Sequence, residues 1–391
     1  MLEGARLTLL GALLALCLGL IGILLGILWL GALTGLFAGA PFLLLHARVQ
    51  LYGSLPLFIM GVAYNLVPRF KNRRLAGRKL AYLSLGLVFV GNLLWLLEPG
   101  PEAAGGVLLA AGALLFSLLL LPLLGKPSGV LAVSEPYISL AVLLLPISAL
   151  LLLPYSSQDP FSNDGLLYLA LLGFPTTMIY GIFIRTIHFR DPFRAAVLRK
   201  RAAAVSFGLH GAALALTLLS LLEPRALRYA SPLFLGSGLG LVYSVQGFRR
   251  LKDERQGRMA ERDRVRYQYF STAFTLALAW LLAGLALGFL YGTLGLLALR
   301  DAFIHSLALG FMGTTIIAYV PILLPPLLTA RVPYRGLSRG PVYLFSIASL
   351  WRVAGYFAHD VNSLALLSWL GGPLLLAALL WFLGMALTLR T

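Results

Sequence analysis

Cysteine is almost absent from this sequence, because Cys17 is the single cysteine among 391 residues. One thiol excludes an internal disulfide, a metal cluster held by thiolates, and the CxxCH attachment of a covalent haem. Charge is also scarce, at 12% of residues, about half the share of a soluble domain. The shortage of charge indicates a membrane protein.

Several catalytic and transport signatures are missing as well. There is no phosphate-binding GxxxxGK[ST] loop, no HExxH zinc motif and no GxSxG nucleophile turn. The apolar runs hold no dense pair of carboxylates, and nearly all acids lie between the runs. A proton-coupled transporter normally buries acids in mid-membrane, so this pattern disfavours one, and whether the chain is an enzyme stays open.

What the sequence has is apolar length. Runs of about 20 residues, enough to cross a hydrocarbon core of about 30 Å, recur along the whole chain. They predict an all-α, polytopic membrane helix bundle of about twelve transmembrane helices, forming a single integral membrane domain over residues 1–391. The predicted spans lie near residues 7–30, 42–67, 80–98, 104–124, 136–154, 164–184, 202–222, 230–248, 268–292, 301–325, 341–358 and 365–388.

The basic residues predict how these spans are oriented. If the N-terminus is cytoplasmic, 26 of the 31 Lys and Arg residues fall in cytoplasmic loops or termini, and the acids gather in the opposite loops. We therefore expect both termini in the cytoplasm and a multi-pass protein of the cell's inner (plasma) membrane. The net charge of +17 then reflects orientation in the bilayer, not nucleic-acid binding. The longest loop, 249–267, is expected to form a short interfacial helix.

Three of the five histidines arrive at one depth in this topology. His46, His305 and His359 fall within about 10 Å of one another along the membrane normal, near the outer face. His188 and His210 fall on the inner half. Facing helices that each carry a histidine can hold a haem or a metal ion. The alternative is that each imidazole bonds a neighbouring helix.

Two arginines accompany these histidines outside the cytoplasmic loops. Arg352 lies inside the eleventh span, where an unpaired charge costs several kcal/mol, so it requires an anion such as Asp301, Asp360 or a haem propionate. Arg48 is two residues from His46 and is a second candidate for a propionate. The alternative for Arg48 is that its side chain extends to the lipid headgroups.

Three blocks of the chain resemble the NnrS family of haem- and copper-containing membrane proteins of the nitric oxide response. The first runs from His46-Ala-Arg-Val-Gln-Leu-Tyr-Gly53 to Gly61-Val-Ala-Tyr-Asn-Leu-Val-Pro68. The second is Gly181-Ile-Phe-Ile-Arg-Thr-Ile-His-Phe-Arg190. The third is His305-Ser-Leu-Ala-Leu-Gly-Phe-Met-Gly313 with Ser349-Leu-Trp-Arg352.

The chain also departs from that family. Arg48 stands where the family usually has a second histidine, and the family's histidine after the tenth span is missing, so copper is less favoured than haem. The first and third blocks are also distantly similar to the catalytic subunit of haem–copper oxidases and nitric oxide reductases. That subunit needs six histidines, and this chain has five.

The resemblance implies a haem b between the second and tenth spans, bound by His46 and His305. It implies His359 as a third ligand nearby, Arg48 and Arg352 as propionate partners, and a role in nitric oxide handling or electron transfer. Nitric oxide or another diatomic molecule and the lipid bilayer are the expected partners. A cofactor-free transporter or channel lined by the outer histidines is the main alternative, and a respiratory-chain subunit without its own chemistry is another. The oligomeric state is left open.

Overall fold

The structure is a computed structural model that describes residues 2–33, 42–97, 102–125, 131–155, 163–189, 198–249, 256–327, 335–357 and 361–388. These residues form twelve long helical segments. Six are α1 (Leu2–Leu33), α2 (Phe42–Phe70), α3 (Arg78–Leu96), α4 (Glu102–Leu120), α5 (Leu131–Leu152) and α6 (Asp164–Tyr168, Leu169–Gly173 and Phe174–Phe189).

The other six segments are α7 (Lys200–Leu219), α8 (Leu227–Ser244), α9 (Glu261–Leu294), α10 (Leu297–His305, Ser306–Gly313 and Thr314–Leu327), α11 (Gly340–Ala354) and α12 (Val361–Thr388). Helices are what such apolar runs must form in lipid, because a helix satisfies its backbone hydrogen bonds internally. The prediction of an all-α bundle is confirmed.

Nine of the helices in the described ranges are long and apolar enough to cross a membrane. α8, α11 and α12 match the remaining predicted spans but do not meet that measure. Twelve helical segments therefore correspond to the twelve predicted spans, while their exact number as membrane crossings, and the side on which the termini lie, stay predictions.

The charged loop 249–267 is described only in part. Its last residues belong to α9, which begins at Glu261, and residues 256–257 before it are also helical, so the short interfacial helix stays a prediction. The acids in the first turn of α9 favour its start at Glu261, because they face the positive end of the helix dipole. Residues 250–255 lie outside the described residues.

Consecutive helices pack in pairs, α1 with α2, α3 with α4, α5 with α6, α7 with α8, α9 with α10, and α11 with α12. α12 also packs against α1. Glycines permit the closest approaches. A Cβ on Gly11 of α1 would lie 2.6 Å from the Cα of Gly61 on α2, and one on Gly91 of α3 would lie 2.6 Å from the carbonyl oxygen of Gly105 on α4.

α2 and α6 are the most enclosed helices. In α2, 89% of the most apolar 18-residue stretch is buried inside the protein, and in α6 the share is 94%, against 22% in α1. Side chains on these two helices therefore face other helices in place of lipid. This position makes α2 a suitable helix for a functional histidine.

Candidate functional site

His46 lies in the first part of α2, Phe42–Arg48, and its ring is seated against α1. Its Nδ1 lies 2.6 Å from the carbonyl oxygen of Gly22. Gly26, one turn further along α1, leaves room for the ring, because a Cβ there would lie 3.0 Å from His46 Nδ1. A carbonyl oxygen can only accept a hydrogen bond, so we assign the proton to Nδ1 and a free lone pair to Nε2.

His305 is held in a similar way on α10. Its Nδ1 lies 3.0 Å from the backbone carbonyl oxygen of Asp301, one turn earlier. The hydroxyl of Tyr356, just beyond α11, lies 3.4 Å from the same nitrogen, and the two rings are 5.5 Å apart between centroids. The same assignment leaves Nε2 of His305 with its lone pair.

Arg352 on α11 lies near the two histidines. Its positive charge lies within electrostatic reach of both imidazoles, and the imidazoles lie within reach of each other. The guanidinium stands 4.5 Å from the ring centroid of Tyr356, and Asp301 lies within reach of its charge. Its Nη1 is buried and has no hydrogen-bond partner among the described residues. The structure thus brings His46, His305 and Arg352 together.

Arg48 turns towards a different helix. Its side chain is 1% exposed, so it does not reach the lipid headgroups, and its guanidinium lies 5.5 Å from the ring centroid of Trp95 on α3. Residues two positions apart on a helix face different sides. His46 therefore contacts α1 while Arg48 contacts α3.

The third predicted outer histidine, His359, lies outside the described residues, as does Asp360. Across the described ranges, no three side chains of His, Cys, Asp or Glu are grouped so as to hold a metal ion. A copper site of three such ligands is therefore not formed within those ranges.

Both histidine-bearing helices change their winding next to the histidine. α2 becomes π-helical over Val49–Ser54, directly after Arg48, and α10 becomes π-helical over Ser306–Gly313, directly after His305. A third π-helical segment, Leu169–Gly173, lies in α6. π-Helical segments are rare in proteins, and those that occur are often found at functional sites. No feature of the sequence pattern predicted them.

His210 lies apart from this group. It is fully buried on α7, and its Nε2 lies 2.8 Å from the hydroxyl of Thr177 on α6. This is the helix-to-helix hydrogen bond expected of a structural histidine. His188 lies in the last part of α6.

Two further groups were missed by sequence reasoning. Tyr356 follows Arg352 by four residues, one helical turn, and that spacing was the available signal. At the other end of the bundle, Lys71 and Glu135 form an ion pair with Nζ to oxygen distances of 2.6 and 2.7 Å. The side chain of Glu135 is only 4% exposed, so one acid is buried within the bundle. Its signal was a single Glu beside a proline at the start of an apolar run.

No protein-family model matches this chain, and no curated protein matches it. Among solved structures, a chain of a haem–copper terminal oxidase dimer determined by cryo-electron microscopy matches with a TM-score of 0.60 and 15% identity. The match covers 98% of this chain and 83% of that chain. This protein therefore has a fold like that of a haem–copper terminal oxidase.

Proposed function

We propose that this chain is a haem-binding integral membrane protein, similar in role to NnrS proteins, in which His46 and His305 would bind the iron of a haem b. The fold supports the proposal, because the similar solved structure is named a haem–copper terminal oxidase. The observation that carries the proposal is the matched arrangement of the two imidazoles.

Each imidazole has Nδ1 at a backbone carbonyl, and the tautomer assigned from that contact gives Nε2 the lone pair. Histidines that bind metals are held in this way, since a carbonyl or carboxylate bound to one ring nitrogen sets the tautomer and aims the other nitrogen. His46 and His305 come from two helices and lie within electrostatic reach of each other. Two such donors would be able to hold a haem iron between the two helices.

Arg352 supplies the charge that a haem would need. A haem carries two propionates, and a guanidinium binds a carboxylate through paired, charge-assisted hydrogen bonds. The buried Nη1 of Arg352 has no hydrogen-bond partner among the described residues, so a propionate would satisfy it. Arg48 was the other candidate, but its position over Trp95 makes Arg352 the stronger one.

A bound haem supplies reversible one-electron transfer. The chain's own residues hold and orient the group: Gly22 and Asp301 fix the tautomers of the two imidazoles, and Arg352 provides positive charge beside them. The role we propose is nitric oxide handling or electron transfer near the outer face. His359 remains a proposed third ligand, and copper is not included.

The deciding experiment is an optical spectrum of the purified protein, oxidised and reduced, with iron and copper analysis. We expect a Soret band and the spectrum of a low-spin haem. His46→Ala and His305→Ala should each abolish that spectrum, whereas His210→Ala should keep it, because His210 bonds Thr177 away from the pair.

The outcomes separate the competing functions. If the protein shows no Soret band and no metal, the haem proposal fails and a cofactor-free transporter or channel takes its place. If haem is present but either outer histidine can be removed without changing the spectrum, the ligand assignment fails while haem binding stands.

A further inference from the structure

Tyr356 contacts two groups of the candidate haem site. It belongs to a short 3₁₀ turn, Gly355–Phe357, that directly follows α11. Its hydroxyl lies 3.4 Å from Nδ1 of His305, and its ring centroid is 5.5 Å from that of the imidazole. The guanidinium carbon of Arg352 lies 4.5 Å from the same ring centroid. One side chain therefore contacts both a proposed iron ligand and a proposed propionate partner.

The contact between Tyr356 and Arg352 is of two kinds. The guanidinium stands over the aromatic ring, whose negative face attracts a cation. The hydroxyl also lies within hydrogen-bonding reach of the guanidinium. The phenol therefore restrains the guanidinium with both its ring and its hydroxyl, while the buried Nη1 has no hydrogen-bond partner among the described residues.

The backbone of Arg352 is fixed by α12. Gly371 packs directly against it, because a Cβ at Gly371 would lie 3.2 Å from both the Cβ and the backbone nitrogen of Arg352. The next residue, Gly372, approaches α1 closely, since its Cβ would lie 2.8 Å from Cγ1 of Ile27. With its backbone held between helices, the guanidinium moves by side-chain rotation, and Tyr356 opposes that rotation.

We propose that Tyr356 is a positioning residue, which holds Arg352 at the haem site and thereby keeps the reduction potential of the haem high. This inference rests on the proposed haem function and adds a residue that adjusts it. Ferric haem carries one more positive charge than ferrous haem, so a nearby guanidinium opposes oxidation and raises the potential. A guanidinium bound to a propionate acts in the same direction, because it neutralises a negative charge beside the iron. Without the phenol the guanidinium is no longer held there, and the potential falls.

The test is a redox titration of the full-length purified protein, followed by its optical spectrum. Tyr356→Phe removes the hydroxyl and keeps the ring, whereas Tyr356→Leu removes both contacts with the guanidinium. We expect the midpoint potential to be highest in wild type, lower in Tyr356→Phe and lowest in Tyr356→Leu. Outer-shell partners of metal sites typically contribute about tenfold or more. Tyr356→Leu should therefore shift the ferric–ferrous equilibrium about tenfold towards ferric, which is about 59 mV for one electron.

A double-mutant cycle shows whether the effect passes through Arg352. In an Arg352→Gln background, adding Tyr356→Phe should change the potential little, because the group that Tyr356 positions is gone. The matched control is Tyr269→Phe, since Tyr269 donates a buried hydrogen bond of 2.8 Å to the carbonyl of Ile317. Ile317 lies twelve residues beyond His305 on α10, about 18 Å along the helix, so this variant should keep the wild-type potential.

The positioning role is overturned if Tyr356→Phe and Tyr356→Leu bind haem and titrate at the wild-type potential. It is also overturned if Tyr356→Phe lowers the potential equally with and without Arg352, or if Tyr269→Phe lowers it as much. Loss of haem from Tyr356→Phe would contradict it too, because the hydroxyl would then be needed for binding itself. A wild-type protein without a Soret band is a separate result, which overturns the haem function on which this role rests.

Discussion

Removing one partner of the Lys71–Glu135 pair should destabilise the bundle severely. The two side chains are 13% and 4% exposed, and the ammonium lies 2.6 and 2.7 Å from the two carboxylate oxygens. The variant Lys71→Met removes the ammonium that contacts the buried Glu135 carboxylate and leaves only the more distant charge of Arg185 within electrostatic reach. Breaking a buried pair in this way costs about 3–5 kcal/mol, a large part of a typical total of about 5–15 kcal/mol.

The assay is the free energy of unfolding, measured by circular dichroism during titration of mixed micelles with sodium dodecyl sulfate. The double variant Lys71→Met/Glu135→Leu should recover most of the loss, because it removes the buried carboxylate together with the ammonium that contacts it. The control is Asp263→Asn, since Asp263 pairs with Arg266 at 3.5 Å and with Arg262 at 3.4 Å on a partly exposed surface. Such a pair is worth about 1 kcal/mol or less.

The reasoning would be refuted by a loss below about 1 kcal/mol for Lys71→Met. It would also be refuted if the double variant were as unstable as the single one, because the loss would then come from packing and not from an uncompensated charge.

Three further changes have defined outcomes. Gly61→Leu places a side chain against the backbone of Gly11, since even a Cβ at this position would lie 2.8 Å from the Gly11 Cα. The variant should lower the unfolding free energy by about 1–3 kcal/mol or more. Unchanged stability would mean that α1 can shift away from α2 at no cost, against the close packing described above. Asp164→Ala removes the carboxylate oxygen that lies 2.9 Å from Arg300 Nε. It should lower the unfolding free energy, measured in the same titration, by about 1.5–3 kcal/mol. An unchanged unfolding free energy would contradict a stabilising hydrogen bond between the two side chains. His210→Ala should cost about 2–5 kcal/mol as a core truncation yet leave haem content unchanged, and haem loss would contradict its structural role.

The helical architecture was predictable because bilayer thickness sets the length of apolar runs. α3, for example, spans Arg78–Leu96 where the sequence predicts 80–98. The structure of charged segments was harder to predict. Residues 261–267 are charged enough to be taken for a loop, yet they form the first turns of α9. Charged residues in the first turns of a helix give the same low hydropathy as charged residues in a loop, so hydropathy alone does not tell a helix start from a loop.

The candidate site was predictable only in part. Topology placed His46 and His305 at one depth, and the structure brings them within electrostatic reach of each other. Which way a side chain turns on its helix depends on its neighbours, as with Arg48, which contacts Trp95. The partner of His46 is the backbone carbonyl of Gly22. Every residue has a backbone carbonyl, so the residue type at position 22 gives no sign of this contact.

The π-helical segments of α2, α6 and α10 have a consequence for how this protein tolerates changes in length. A π-helical turn holds one more residue than an α-helical turn, so each segment behaves like an absorbed single-residue insertion. Deleting one residue from Ser306–Gly313 would rewind that stretch as α-helix, and the rest of α10 would keep nearly the same face towards its neighbours. The hydroxyl of Tyr319, which lies 2.6 Å from Thr186, would then still face α6. We therefore expect relatives of this protein to differ by single-residue gaps in these three segments, while the helices beyond each gap present the same face to the bundle.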